Sequence, residues 1–160
     1  MDADAISVAS TASHVQIGGF GTTFLATDEA YALIQHSLGG KLIGAPPHRH
    51  NREDELSYVL EGTLTVWREG VVTEAGPGTL VTKPRGEWHT FWNAGDVTVR
   101  FLEIISPPDF ANYFRELATI IPESGPPDPA RVMALAARYE LEFDFRMLGQ
   151  LTERYGLRLG

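Results

Sequence analysis

The sequence predicts an all-β domain, a barrel or sandwich of short strands closed by a helical tail, and three observations carry that expectation. First, segments rich in Val, Ile, Thr and aromatics recur between residues 16 and 106: TTFLAT, YALIQHSL, ELSYVLE, TLTVWRE, GTLVTKP, HTFWN and TVRFLEII. Second, Gly and Pro punctuate the gaps, which are too short to hold crossover helices. Third, after Pro107-Pro108 the apolar period changes from that of a strand to that of a helix.

Taken in order, residues 1–15 are small and polar and read as an N-terminal arm, residues 16–106 as the barrel, and residues 107–160 as a helical extension packed on it. Glu61-Gly62 and Glu69-Gly70 are the expected turns, since Gly adopts positive φ at little cost. Phe110, Tyr113, Phe114, Leu117 and Ile121 recur at helical spacing and predict an amphipathic helix of about three turns. Glu123 to Pro127 forms a linker, and Asp128-Pro129 then supplies an N-cap and a first-turn proline for a second helix reaching about Tyr139. The stretch from Leu135 to Phe143 is echoed from Leu151 to Leu159, which reads as a helix ending in an aromatic and then a short extended segment, twice over. These helices are expected on the outside of the barrel or over one of its mouths.

Composition narrows the classes of function. The chain has 160 residues, 43% of them hydrophobic and 21% charged, as in an ordinary single globular domain. A formal charge of −8 argues against nucleic acid or an anionic membrane as partner, because both need a basic face. No apolar run is long enough for a membrane helix, and the first twenty residues lack the pattern of a secretory signal, so the cytoplasm is the expected location. There is no cysteine, so disulfides and thiolate metal sites are excluded and any metal must be held by nitrogen and oxygen.

The stretch from Gly44 to Asn93 carries the chemistry. His48 and His50 stand two apart, so both imidazoles project from one face of a strand. Glu55 follows the turn Asn51-Arg52-Glu53-Asp54, and His89 lies on a separate strand behind Pro84-Arg85-Gly86-Glu87-Trp88. Three imidazoles and a carboxylate suit one divalent Fe, Mn, Co, Ni or Zn ion, and an octahedral shell would leave up to two positions open. The other candidates have plainer readings. His14 and His36 have no motif around them, and His36 reads as a hydrogen-bonded barrel or surface residue. Glu53 and Asp54 read as solvated turn carboxylates, and Trp67, Trp88 and Trp92 as packing residues.

These residues resemble the cupins, whose first motif is G-x5-HxH-x(3,4)-E-x6-G and whose second is G-x5-PxG-x2-H-x3-N. The chain gives His48, His50, Glu55 and Gly62 at the first spacing, with Gly44 three rather than five residues before His48. It gives Gly78, Pro84, Gly86, His89 and Asn93 at every named position of the second. The resemblance covers residues 20–106. It implies a double-stranded β-helix, or jelly roll, with His48, His50, Glu55 and His89 as ligands of one metal ion inside one end. Gly62, Gly78 and Gly86 become turn glycines, and Pro84 stiffens the entry to the His89 strand.

Strand parity adds the lining. If Glu55 points inward, Ser57 and Val59 do too, with Ser57 leaving space near the metal, and Phe91 shares the face of His89. Phe20, Phe24, Ile34 and Phe101 are further lining candidates. Such a pocket is mostly apolar, lacks a phosphate cradle, and favours a planar or greasy organic molecule over a sugar phosphate.

Within the cupins the chain is similar to small single-domain quercetinase-like proteins, through its HxH-x4-E spacing, SPPDFANYFRELA after the barrel, and the ARYELEF stretch of the tail. That resemblance implies a metal-dependent dioxygenase that binds an enolisable aromatic such as a flavonol, with Glu55 as both ligand and general base and dioxygen as co-substrate in ring cleavage. The alternatives are a redox-neutral cyclase or isomerase of polyketide-like substrates, using the same site without oxygen, and a non-enzymatic small-molecule-binding module. A homodimer is the family expectation, formed through strand exchange or sheet packing, with residues 1–25 as the expected exchanged segment.

Overall fold

The computed structural model describes residues 12–122 and 125–160, so most of the N-terminal arm lies outside the described residues. Thirteen strands and three helices follow in chain order: β1 (Ser13–Ile17), β2 (Phe20–Thr27), β3 (Ala32–Leu38), β4 (Leu42–Ile43), β5 (His48–His50), β6 (Asp54–Glu61), β7 (Leu64–Arg68), β8 (Val71–Ala75), β9 (Leu80–Lys83), β10 (His89–Asn93), β11 (Val99–Ser106), α1 (Ala111–Ile120), α2 (Pro129–Arg138), β12 (Leu141–Phe143), α3 (Phe145–Tyr155) and β13 (Arg158–Leu159). One sheet runs β1-β2-β3-β11-β6-β9. In the other, β10 pairs with β7 along one edge and with β5 and β4 along the opposite edge. The result is the expected all-β double-stranded β-helix with C-terminal helices.

Local sequence explains most of these elements. Burial alternates strictly along β3 and β11, as a strand with one face on a core requires. The β7–β8 turn is Glu69-Gly70, with φ of 46° and 86°, and positive φ at two successive residues gives the twist that a tight hairpin needs. Asp128 caps α2 by accepting from the Ala130 N–H at 2.9 Å, and Pro129 opens the helix. Three strands are additions to the sequence reading. β1 grows out of the expected arm because Gly18, at φ 54°, turns the chain back so that five residues pair with β2. β4 is only two residues long, and β8 buries only Ala75, so neither shows a legible apolar pattern.

The echo in the tail has a structural counterpart. Each of α2 and α3 ends at an arginine and tyrosine and is followed by a short strand, and β12 joins β5 while β13 joins β4. Since β5 and β4 border the same edge of β10, the two tail strands extend that edge one after the other. The helices divide their work. Helices α1 and α2 cover one mouth of the barrel, packing Phe110, Tyr113, Leu135 and Ala136 against Phe24, Ile34 and Ile105. Helix α3 lies on the outside of the second sheet, where Leu151 and Leu157 meet Ile43 and Trp92. Fully burying one leucine contributes about 1.5–3 kcal/mol, so such a seam holds the tail in place. Among the described residues no helix is long and apolar enough to cross a membrane.

Candidate metal centre and its pocket

Three strands deliver the four expected ligands to one point. His48 and His50 come from β5, Glu55 from β6 and His89 from β10, where His89 pairs directly with His48. All four side chains are buried, and each offers a donor atom within 4.8 Å of every other. Glu55 Oε1 lies 3.4 Å from His50 Nε2, and its Oε2 lies 3.3 Å from His89 Nε2. Bonds of about 2.0–2.2 Å to a single ion place neighbouring ligands roughly 3 Å apart, close to the spacing of the Glu55–His50 and Glu55–His89 pairs. His50 Nε2 and His89 Nε2 are also buried without a hydrogen-bond partner, as atoms reserved for an ion would be. The donor set can therefore hold one metal ion.

The backbone sets the tautomers. His48 Nδ1 lies 2.8 Å from the Pro46 carbonyl and His89 Nδ1 lies 3.1 Å from the Glu87 carbonyl. A carbonyl only accepts, so both Nδ1 atoms carry the proton and both Nε2 atoms keep a lone pair toward the centre. His50 is oriented instead by Glu53, whose Oε2 lies 3.5 Å from Nδ1. The reading of Glu53 as a solvated turn residue is corrected here: it is 2% exposed, because the turn folds its side chain back beneath His50. An outer-shell carboxylate behind a ligating imidazole is a common arrangement in metal sites.

Charge is concentrated beside this group. Lys83, at the end of β9, is 1% exposed and sits between two carboxylates, 3.2 Å from Glu55 Oε2 and 2.8 Å from Glu103 Oε1. Ser57 donates to Glu103 Oε2 at 2.7 Å, so Ser57 braces this network rather than leaving open space near the metal. Burial works against ionisation of Glu55, but His50 and Lys83 outweigh it and hold its carboxyl well below the usual range. Burial pushes Glu103 up to about 7 despite Lys83. His48 and His89 are held neutral chiefly by burial. Lys83 and Glu103 were not among the sequence candidates. The legible signal for Glu103 was its inward parity between Phe101 and Ile105, a charged residue at a core position.

The centre opens into a cavity of about 280 Å³. His48, Glu55, Lys83 and Glu103 form its floor, and its walls are mostly aromatic: Phe20 and Phe91 from the barrel, Phe110, Tyr113 and Phe114 around α1, and Phe143 from β12. Gly44 is required here, because a Cβ at this position would lie 2.2 Å from the Phe91 ring. The expected lining residues Phe20 and Phe91 are in place. Phe24 and Ile34 instead pack beneath the helices at the mouth, and Phe101 is sealed in the barrel core behind His36. The docked tail supplies the aromatics that parity alone could not assign. Phe110 sets its ring edge-on to His50 at 4.4 Å between centroids. His36 also reaches the wall, hydrogen-bonded to Thr22 at 3.0 Å and stacked on Phe20, as a barrel residue and not a member of the donor set. His14 lies outside the site, bonded to Thr23 on the β1–β2 hairpin. Trp92 is core, whereas Trp88 packs under the Arg49 guanidinium.

Comparison with known proteins agrees with this architecture. Residues 38–105 match the cupin domain family. No curated protein matches the chain. Among solved structures it is similar to KdgF from Halomonas sp., at 22% identity and a TM-score of 0.54, over 57% of this chain and 82% of that one. It is also similar to a sugar phosphate isomerase of the cupin superfamily from Silicibacter pomeroyi, at 22% identity and a TM-score of 0.50, over 55% and 59%. A Streptomyces PAC13 variant with uridine aligns at 15% identity and a TM-score of 0.52, over 61% and 76%. At such identities the likeness carries the fold and no activity.

Proposed function

We propose that this chain, whose residues 38–105 form a cupin domain, is a metal-dependent enzyme acting on an apolar, enolisable aromatic small molecule, with dioxygen as co-substrate as in quercetinase-like cupins. The observation that supports this reading most is the junction of a buried three-histidine, one-carboxylate donor set with a cavity walled by aromatic rings. His48, His50, Glu55 and His89 would hold one divalent ion, Fe, Mn, Co, Ni or Zn. When bound, such an ion would act as a Lewis acid toward an enol or phenol oxygen, lowering its pKa and so favouring the electron-rich anion that can react with dioxygen.

The chain's own residues do the rest. Phe20, Phe91 and Phe114 bind the ring system and exclude water, which limits side reactions. The Pro46 and Glu87 carbonyls keep the His48 and His89 lone pairs aimed at the centre. Burial notwithstanding, His50 and Lys83 hold the Glu55 carboxyl well below the usual range, so Glu55 would be the ligand and a weak base. Glu103, on the cavity floor with its carboxyl pushed by burial up to about 7, is the better matched acceptor of the substrate proton. A sugar phosphate is disfavoured, since the cavity is walled by aromatic rings and Lys83 is the one Lys or Arg side chain among its described lining residues.

A second reading keeps the site and uses no oxygen: a cyclase or isomerase in which carbonyl polarisation and proton transfer suffice. The Lys83–Glu103 pair favours it, being a buried acid–base pair that can both take and return a proton, as an isomerisation requires. Oxygen uptake decides between them. Protein reconstituted separately with each metal and offered flavonols should consume oxygen in proportion to substrate, and Glu55→Gln and His89→Ala should abolish it. Absence of uptake with every metal, together with substrate rearrangement, would give the redox-neutral reading.

A further inference from the structure

We infer that Lys83 is a substrate-binding residue whose ammonium meets an anionic oxygen of the bound molecule, so that the pocket takes an apolar organic anion, an enolate or phenolate. The inference rests on the proposed function and narrows its substrate class.

Geometry comes first. Lys83 lines the cavity floor although it is 1% exposed. An ammonium carries three N–H groups, and the carboxylates of Glu55 and Glu103 occupy at most one each. Nζ is one of the buried polar atoms that no aligned hydrogen bond satisfies. The Phe91 ring stands 5.3 Å from it on the cavity side and accepts only weakly. At least one N–H is therefore left for a further acceptor, and the cavity that Lys83 lines is where one can sit. Glu103, braced by Ser57 at 2.7 Å, is the positioning residue that keeps the ammonium there.

Charge points the same way. With neutral imidazoles, a divalent ion and Lys83 against Glu55 and Glu103 would leave at least one positive charge uncompensated among buried side chains. Buried charge is costly unless paired. A neutral ligand would leave the excess in place, whereas a ligand carrying one negative oxygen removes it and gains a charge-assisted hydrogen bond. A ligand without that oxygen would strand the N–H, and buried polar groups left unpaired are what make such sites selective.

The test uses zinc-loaded protein, because zinc has no redox chemistry to consume the probes. The probes are 3-hydroxyflavone and flavone, which differ by one hydroxyl. In wild type, bound 3-hydroxyflavone should show the red-shifted absorption of its anion and should bind more tightly than flavone. Lys83→Met should cut that preference by about tenfold or more, with flavone affinity and zinc content held near wild type. Where Lys83→Met loses zinc, Lys83→Met/Glu103→Gln removes the pair together and should show the same loss. Wild type that binds 3-hydroxyflavone in its neutral form, or variants that keep the preference, would overturn the inference alone. Wild type that binds neither probe would overturn the aromatic-substrate reading and the inference with it.

Discussion

Glu55 and Lys83 stand opposite each other across the antiparallel β6–β9 pair, with Lys83 Nζ 3.2 Å from Glu55 Oε2. One register step away on the other side of β6, Ser57 stands opposite Glu103 on β11. Two cross-strand pairings thus assemble a buried acid–base network against the metal centre. Such a network is costly to break from one side, because the partner left behind has no water to turn to. In metal-free protein, Lys83→Met should lose about 3–5 kcal/mol in urea unfolding. Lys83→Met/Glu103→Gln should lose less, since it also removes one of the stranded carboxylates.

Glu53 tests the outer shell. Its carboxylate lies 3.5 Å from His50 Nδ1 and is not one of the four grouped donors. Glu53→Gln should weaken zinc binding by about 10–100-fold in competition with a chelator, without changing a stoichiometry of one. An unchanged affinity would return Glu53 to a purely structural role.

Protons and metal compete for His50. Burial opposes its protonation, but Glu55 and Glu53 outweigh burial and raise its pKa from 6.5 to about 9 in the metal-free protein. A raised folded pKa means that this stabilisation is complete below 6.5 and is lost as pH rises through about 9. His48 and His89, lowered instead, carry no proton to lose at neutral pH. Zinc binding at pH 7.5 should therefore release about one proton, measured by calorimetry in buffers of different ionisation enthalpy. Release near zero would mean that His50 is already neutral.

Trp92 anchors the tail. It is 1% exposed, with its ring 4.9 Å from that of Tyr155 on α3. Trp92→Ala should cost about 3–5 kcal/mol in chemical denaturation while leaving zinc stoichiometry intact, because its side chain faces α3 and not the cavity.

The contrast between His89 and Lys83 shows what a single sequence reveals. His48, His50, Glu55 and His89 were legible because their spacing within two short motifs is local, and strand parity puts each on the inner face. Lys83 was not, and Glu103 offered only its inward parity, since their pairing depends on the registers Glu55 to Lys83 and Ser57 to Glu103, which no local pattern encodes. The same limit separates Phe91, correctly placed by parity with His89, from Phe110 and Phe143. Those two reach the cavity only because the tail folds back over the barrel mouth and adds β12 beside β5. The tail's helices were legible from their period and from the Asp128 cap, but their role as pocket wall belongs to tertiary packing.

The most direct test of the central claim is a cobalt titration of chelator-treated protein, followed by visible absorption. Saturation is expected at one equivalent per chain, with bands that vanish in His89→Ala and change with Glu55→Gln. Cobalt that fails to bind, or that binds equally well after His89→Ala, would contradict a metal centre built from these four side chains.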